Sequence, residues 1–276
     1  MKIQLLSDLH LESQPGFQAI AAPGADLLVL AGDIGSYQRG SRLPGEPRDF
    51  GLTQFMPASH GGRWPLVLYV PGNHEYDNGD FDTLDAELRA TVESLGIVWL
   101  DRKVFVHQGV RFVGTALWSD FDALAVQAPD EARREAARAK AFRAANYYLS
   151  KVDTTRHGVP FLAPEMREEG LACQRWLAQA LDEPFDGPTV AITHFAPTLR
   201  SADPRYGLVP GTAGFCNALD HLLPKADVWM HGHLHYAQDY VVQGPDGRSC
   251  RVVCNPLGYA AKGEQDAFRP QLLVEV

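Results

Sequence analysis

Histidine, aspartate and asparagine recur along this chain in five short runs: Asp8-Leu9-His10, Gly32-Asp33, Gly72-Asn73-His74-Glu75, Thr193-His194 and Gly232-His233-Leu234-His235. Carboxylate oxygen and neutral imidazole nitrogen suit first-row divalent ions such as Mn, Fe or Zn. Asn73 adds an amide oxygen that can ligate without bringing negative charge. The donors suffice for two ions, and two ions sharing a water lower its pKa and neutralise charge developing on a phosphoryl group. The chemistry these residue types point to is attack of activated water on phosphorus.

Taken singly the runs carry little weight. Asp33 alone reads as an Asp opening a turn, Pro71-Gly72-Asn73 as a tight turn, and a lone histidine such as His194 as a hydrogen-bonded structural residue. With 10 His and 25 Gly in 276 residues, G-H-x-H is expected only about 0.03 times by chance. The last run and the ordered set therefore carry the reading. Residues two apart at a strand end point the same way, which pairs Asp8 with His10 and His233 with His235. Gly32 removes a side chain that would block two ions from approaching Asp33, which suits that carboxylate to a bridging position.

Each run follows an apolar stretch, so each is expected at the end of a buried strand. The pattern predicts strands over 3–6, 27–30, 66–70, 97–100, 104–107, 111–114, 189–193, 228–231, 239–243, 250–254 and 271–275. Helical patterns cover 81–95, 130–149, 164–181 and 214–223. Strands alternating with helices early and crowding together late fit an α/β fold, two sheets packed face to face with helices outside. Residues 118–162 break the alternation, either as a helical cap over the site or as a solvated helix along a sheet edge.

A hydrophobic fraction of 45% over 276 residues fills one large core, and the whole chain reads as a single domain. The formal charge of -9 and the lack of a basic stripe argue against a nucleic-acid partner. No stretch has the length and apolarity of a membrane span, and the first strand begins at Ile3 without a charged and apolar leader, so the expectation is a cytoplasmic protein with no membrane partner. Cys173, Cys216, Cys250 and Cys254 form no C-x-x-C pair and are expected as reduced, buried thiols.

The set D-x-H, G-D, G-N-H-E, H and G-H-x-H, in this order over residues 7–235, resembles the signature of the calcineurin-like metallophosphoesterases. The resemblance implies a four-layer α/β/β/α sandwich with two facing mixed β-sheets and a dinuclear metal centre at the strand ends. It places Asp8, His10 and His235 on one metal, Asn73, His194 and His233 on the other, and Asp33 between them. His74 falls on the family's catalytic histidine, facing the substrate, where a positioned proton donor is worth roughly 10² to 10⁴ in rate.

Arginine suits phosphate through paired hydrogen bonds. Arg39, Tyr76, Arg156, Arg200, Arg205 and Tyr206 are therefore candidate substrate contacts, with Arg42 and His157 beside them. A small phosphate ester is the expected substrate, a phosphodiester first and a phosphomonoester second. A protein Ser/Thr phosphatase fits less well, because Gly32-Asp33-Ile34-Gly35-Ser36 departs from G-D-x-V-D-R-G. A nuclease and a metal-free scaffold of the same fold are the remaining alternatives.

Overall fold

The computed structural model describes residues 1–245 and 247–276. Runs of Val, Leu and Ile form β1 (Lys2–Leu6), β2 (Leu27–Ala31) and β3 (Val67–Val70), which lie parallel beside the short β4 (Val98–Trp99). The antiparallel β13 (Leu273–Glu275) joins the other flank, giving the order β13-β1-β2-β3-β4. A second sheet contains β5 (Lys103–His107), β6 (Val110–Thr115), β9 (Thr189–Thr193), β10 (Val228–His231), β11 (Gln238–Gln243) and β12 (Ser249–Cys254). Its order is β11-β12-β10-β9-β6-β5, with the inner four parallel and both edge strands antiparallel. β7 (Thr155–Arg156) and β8 (Val159–Pro160) make a separate two-stranded ribbon.

The period of two along the strands sorts side chains into three apolar layers. Leu28 and Leu30 face α1 (Phe81–Ser94) through Leu88 and Val92, whereas Leu27, Val29 and Ala31 meet Val190, Ile192 and Met230 of the second sheet. On that sheet's far side Ala191 and Trp229 meet Cys173 and Leu177 of α3 (Ala163–Asp182). The result is helix, sheet, sheet, helix, and the central strands are buried on both faces, which is why they read as unbroken hydrophobic runs. α1 starts where the Asp80 side chain accepts from Thr83 N, and α3 starts with Pro164 in its first turn, a position with no hydrogen bond to lose.

Within 118–162, Trp118 and Phe121 belong to the core, while α2 (Glu131–Leu149) is charged over residues 131–143 and buries only Ala141. It rests on α3 and on the single turn Pro210–Gly214. The helix expected over 214–223 is absent. Cys216 pairs with Ala196 instead, and Asn217 accepts from Asp120 N and donates to Leu117 O, so tertiary hydrogen bonds override the local periodicity. All four cysteines are free and buried. No helix among the described residues is long and apolar enough to cross a membrane.

Candidate metal centre

The ends of β1, β2, β3, β9 and β10 converge, and the loops leaving them carry the five polar runs. The expectation that strand pleating aligns Asp8 with His10, and His233 with His235, is corrected here. β1 has ended at Leu6 and β10 at His231, and all four residues, with Asp33, have φ between 45° and 72°. This left-handed region is uncommon for residues with a side chain; each such residue costs of order 1–3 kcal/mol and persists only where its surroundings enforce it. Asp8 N donates to Gly32 O, His10 N to Asp33 O and Leu11 N to Ile34 O, so the β1 and β2 loops remain laced together beyond the strands. Gly32 and Gly72 permit this approach: a Cβ on Gly32 would lie 2.3 Å from His194 Nδ1, and one on Gly72 would lie 2.1 Å from Asp33 Oδ1.

Two donor groups result, one of Asp8, His10, Asp33 and His235, the other of Asp33, His194 and His233, each with ligating atoms within 4.8 Å of one another. Asp33 is common to both. Asn73 Oδ1 lies 3.2 Å from His194 Nε2, which brings the seventh sequence-derived residue alongside the second group. His233 and His235, adjacent in the motif, thus turn to different groups.

Their electrostatics fit cations. Ala31 O can only accept, so His194 keeps a proton on Nδ1 (2.9 Å) and turns Nε2 toward Asn73 Oδ1 and Asp33 Oδ2, both 3.2 Å away. His10 Nδ1 faces Glu12 (3.1 Å) and His235 Nδ1 faces Glu264 (2.7 Å); with both protons donated there, the two Nε2 lone pairs oppose each other at 3.0 Å. Asp8 Oδ2 and His233 Nε2 are buried without a hydrogen-bond partner among the described residues. Acceptors packed this closely are costly unless positive charge, a proton or a metal ion, lies among them. Burial lowers the His194 pKa, but Asp33 outweighs it and holds it at about 9. Burial likewise raises Asp33, while His194, His74 and His10 hold it well below the usual carboxylate range.

His74 occupies a single 3-10 turn, His74–Tyr76, at the end of β3. Its backbone N–H donates to Asp33 Oδ1 (2.9 Å), its Nδ1 meets Asp77 Oδ2 (2.6 Å), and its ring centroid is 5.1 Å from that of His10. Burial depresses its pKa, but Asp77 and Asp33 together raise it well above the ordinary imidazole value. The side chain is 22% exposed, so the ring reaches solvent at the mouth of the site.

The candidate substrate contacts fare differently. Tyr76 is a core residue: it is 2% exposed, stacks on Phe81 and donates its hydroxyl to Asp85. Arg156 is held by Asp82 and Glu169, and His157 lies against Asp82. Arg200 pairs with Asp220, and Arg205 grips Asp203 with Tyr206 and Tyr236 under its guanidinium. Tyr206, Arg39 and Arg42 are exposed, and Arg42 N donates to Glu12 O.

Several neighbours of the site are not among the assigned ligands and His74. Glu12 follows His10 by two residues and Asp77 follows His74 by three, spacings that could have flagged them. Glu75 accepts from the backbone N–H groups of Asp33, Ile34 and Gly72; burial and then Asp33 push its pKa up to about 7. Phe195 and Phe215 flank the His233 ring at 4.0 and 5.0 Å. Tyr259 and Glu264 come from a distant segment with no local signal.

Uncharacterized protein L509 of Acanthamoeba polyphaga mimivirus is 22% identical over 307 residues, spanning 99% of this chain and 96% of that protein. The crystal structure of a phosphopantetheinyl hydrolase from Mycobacterium tuberculosis shares the fold with a TM-score of 0.69 and 20% identity, covering 100% of this chain and 95% of that one. A dimetal phosphatase from Danio rerio aligns with a TM-score of 0.44 and 12% identity over 94% of this chain and 88% of its own. The sequence model of the calcineurin-like phosphoesterases matches residues 1–237. The chain belongs to the calcineurin-like phosphoesterase family and is a metal-dependent phosphoesterase.

Proposed function

We propose that the protein hydrolyses small phosphodiesters, with phosphomonoesters as secondary substrates. The observation that carries this reading is the pair of donor groups sharing Asp33. Asp8, His10 and His235 would hold one divalent ion, Asn73, His194 and His233 the other, and Asp33 both. When bound, two such ions supply Lewis acidity toward phosphoryl oxygens and a nucleophilic water at neutral pH. Manganese, iron and zinc all suit oxygen and imidazole donors.

The chain's own part is positioning and proton transfer. Glu12 and Glu264 fix the His10 and His235 rings with Nε2 turned inward, and Ala31 O does the same for His194. Asp77 and Asp33 favour the protonated form of His74, which suits it to give a proton to the leaving oxygen. A diester carries one negative charge where a monoester carries close to two. Arg156, Arg200 and Arg205 are each paired with carboxylates, and with these three candidate arginines engaged elsewhere the singly charged diester asks less of the site than a monoester. The charge of -9 disfavours nucleic acid for the same reason.

The test is hydrolysis of a chromogenic phosphodiester beside its monoester by chelator-stripped protein resupplied with Mn²⁺, with Asn73→Ala in parallel. We expect metal-restored turnover, faster on the diester and lost in the variant. A faster monoester would overturn the substrate assignment. Turnover that survives chelation or the Asn73 substitution would overturn the ligand assignment.

A further inference from the structure

The segment after β12 lies beyond the family-matched residues 1–237, yet it forms one wall of the site. Leu257 N donates to Ser7 O and Gly258 N to Asp8 O, which ties the segment to the loop bearing Asp8. Glu264 then folds back, accepting from Tyr259 N (2.8 Å) and from His235 (2.7 Å) through the same Oε2. Gly258, at φ 66°, allows the return: a Cβ there would lie 2.6 Å from the Cβ of Glu264. This hairpin sets the Tyr259 ring on His10 at 4.1 Å and 24°, edge-on to His235 at 5.2 Å, with Lys262 Nζ 4.6 Å from its centroid.

The ring is thus fixed, but the hydroxyl is not engaged by any described residue. The ring's two histidine neighbours, His10 and His235, both belong to one donor group, so Tyr259 stands directly beside that group. A phenol hydroxyl can donate a hydrogen bond as well as accept one. Half-buried beside the site and without a protein acceptor, it is complementary to an anionic oxygen brought by a ligand.

We propose that Tyr259 is a substrate-binding residue, its hydroxyl donating a hydrogen bond to a phosphoryl oxygen held over the donor groups. The assignment rests on the active site proposed above. A hydrogen bond to a charged oxygen is worth enough to change affinity roughly ten- to hundredfold.

The experiment compares wild type, Tyr259→Phe and Tyr259→Ala, each Mn²⁺-loaded, in metal content, affinity for inorganic phosphate by calorimetry, and kcat/KM on the two chromogenic esters. Tyr259→Phe keeps the ring on His10 and removes only the donor. We expect it to retain the wild-type metal content and to weaken phosphate roughly ten- to hundredfold, with a similar fall in kcat/KM. Unchanged phosphate affinity in Tyr259→Phe would overturn the proposal; a defect confined to Tyr259→Ala would assign the residue to packing against His10. Absence of phosphate binding by the wild type would also overturn it. If the wild type cleaves neither ester but Tyr259→Phe still weakens phosphate, the diester reading fails while the Tyr259 assignment stands.

Discussion

Asp33 is the residue on which the site turns. It belongs to both donor groups, receives the backbone N–H of His74, and has its own N–H held by Glu75. His74 depends on it twice, for the orientation of its backbone and, with Asp77, for its raised pKa. Because His74 belongs to neither donor group, His74→Ala should leave metal content unchanged and lower kcat by roughly 10² to 10⁴, the range for a lost proton donor. Steady-state kinetics beside metal analysis checks this, and wild-type turnover would remove His74 from the chemistry. Gly72→Ala tests Asp33 from the other side, since the added Cβ would meet Asp33 Oδ1 at 2.1 Å and Asp33 N at 2.4 Å. We expect a stability loss of about 1–3 kcal/mol from overpacking and fewer than two metals retained. Two tightly bound metals in that variant would show that Asp33 can shift without consequence.

At the scale of elements, the strands and the polar runs at their ends were legible because the central strands are covered on both faces and each run begins where apolar sequence stops. Geometry beyond the strand ends was not legible. The left-handed turns at Asp8, His10 and Asp33 lie where the β1 and β2 loops hydrogen-bond to each other, those at His233 and His235 lie beyond β10, and no period of two or 3.6 encodes them. Glu264 meets His235 across 29 residues, and Tyr259 meets His10 from the opposite end of the chain, so neither has a local sequence signal. Arg156 illustrates the reverse error, a residue type suited to phosphate that the fold uses elsewhere. It joins β7 to α1 through Asp82 and to α3 through Glu169. With the Arg156 and Asp82 side chains 30% and 40% exposed, solvent screens the pair, and Arg156→Met should cost about 1 kcal/mol while leaving KM within twofold. Thermal unfolding and a substrate titration measure both, and a raised KM would return Arg156 to the site.

For the whole molecule, the metal centre is also a matter of stability. Asp8, Glu12, Asp33, Glu75 and Asp77 are each no more than 3% exposed and gather at one end of the sandwich, in a chain that already carries a net charge of -9. Folding must bring these carboxylates together and remove them from water, a cost that backbone N–H donors and histidines offset only in part, since Asp8 Oδ2 has no partner among the described residues. Ions that bind this arrangement and not the unfolded chain shift the folding equilibrium by mass action, about 2.7 kcal/mol for one site at a hundred times its Kd. For a chain of this size that corresponds to a rise in Tm of roughly 5–10 °C. Calorimetry over a series of free Mn²⁺ concentrations should therefore show Tm climbing steadily with the logarithm of metal and falling to a floor in excess chelator. Raising NaCl instead should not reproduce the effect, because buried charges are screened far less than exposed ones. A Tm equally responsive to NaCl would mean that general charge screening stabilises the fold; a Tm indifferent to Mn²⁺ would mean that the two donor groups bind no ion under those conditions.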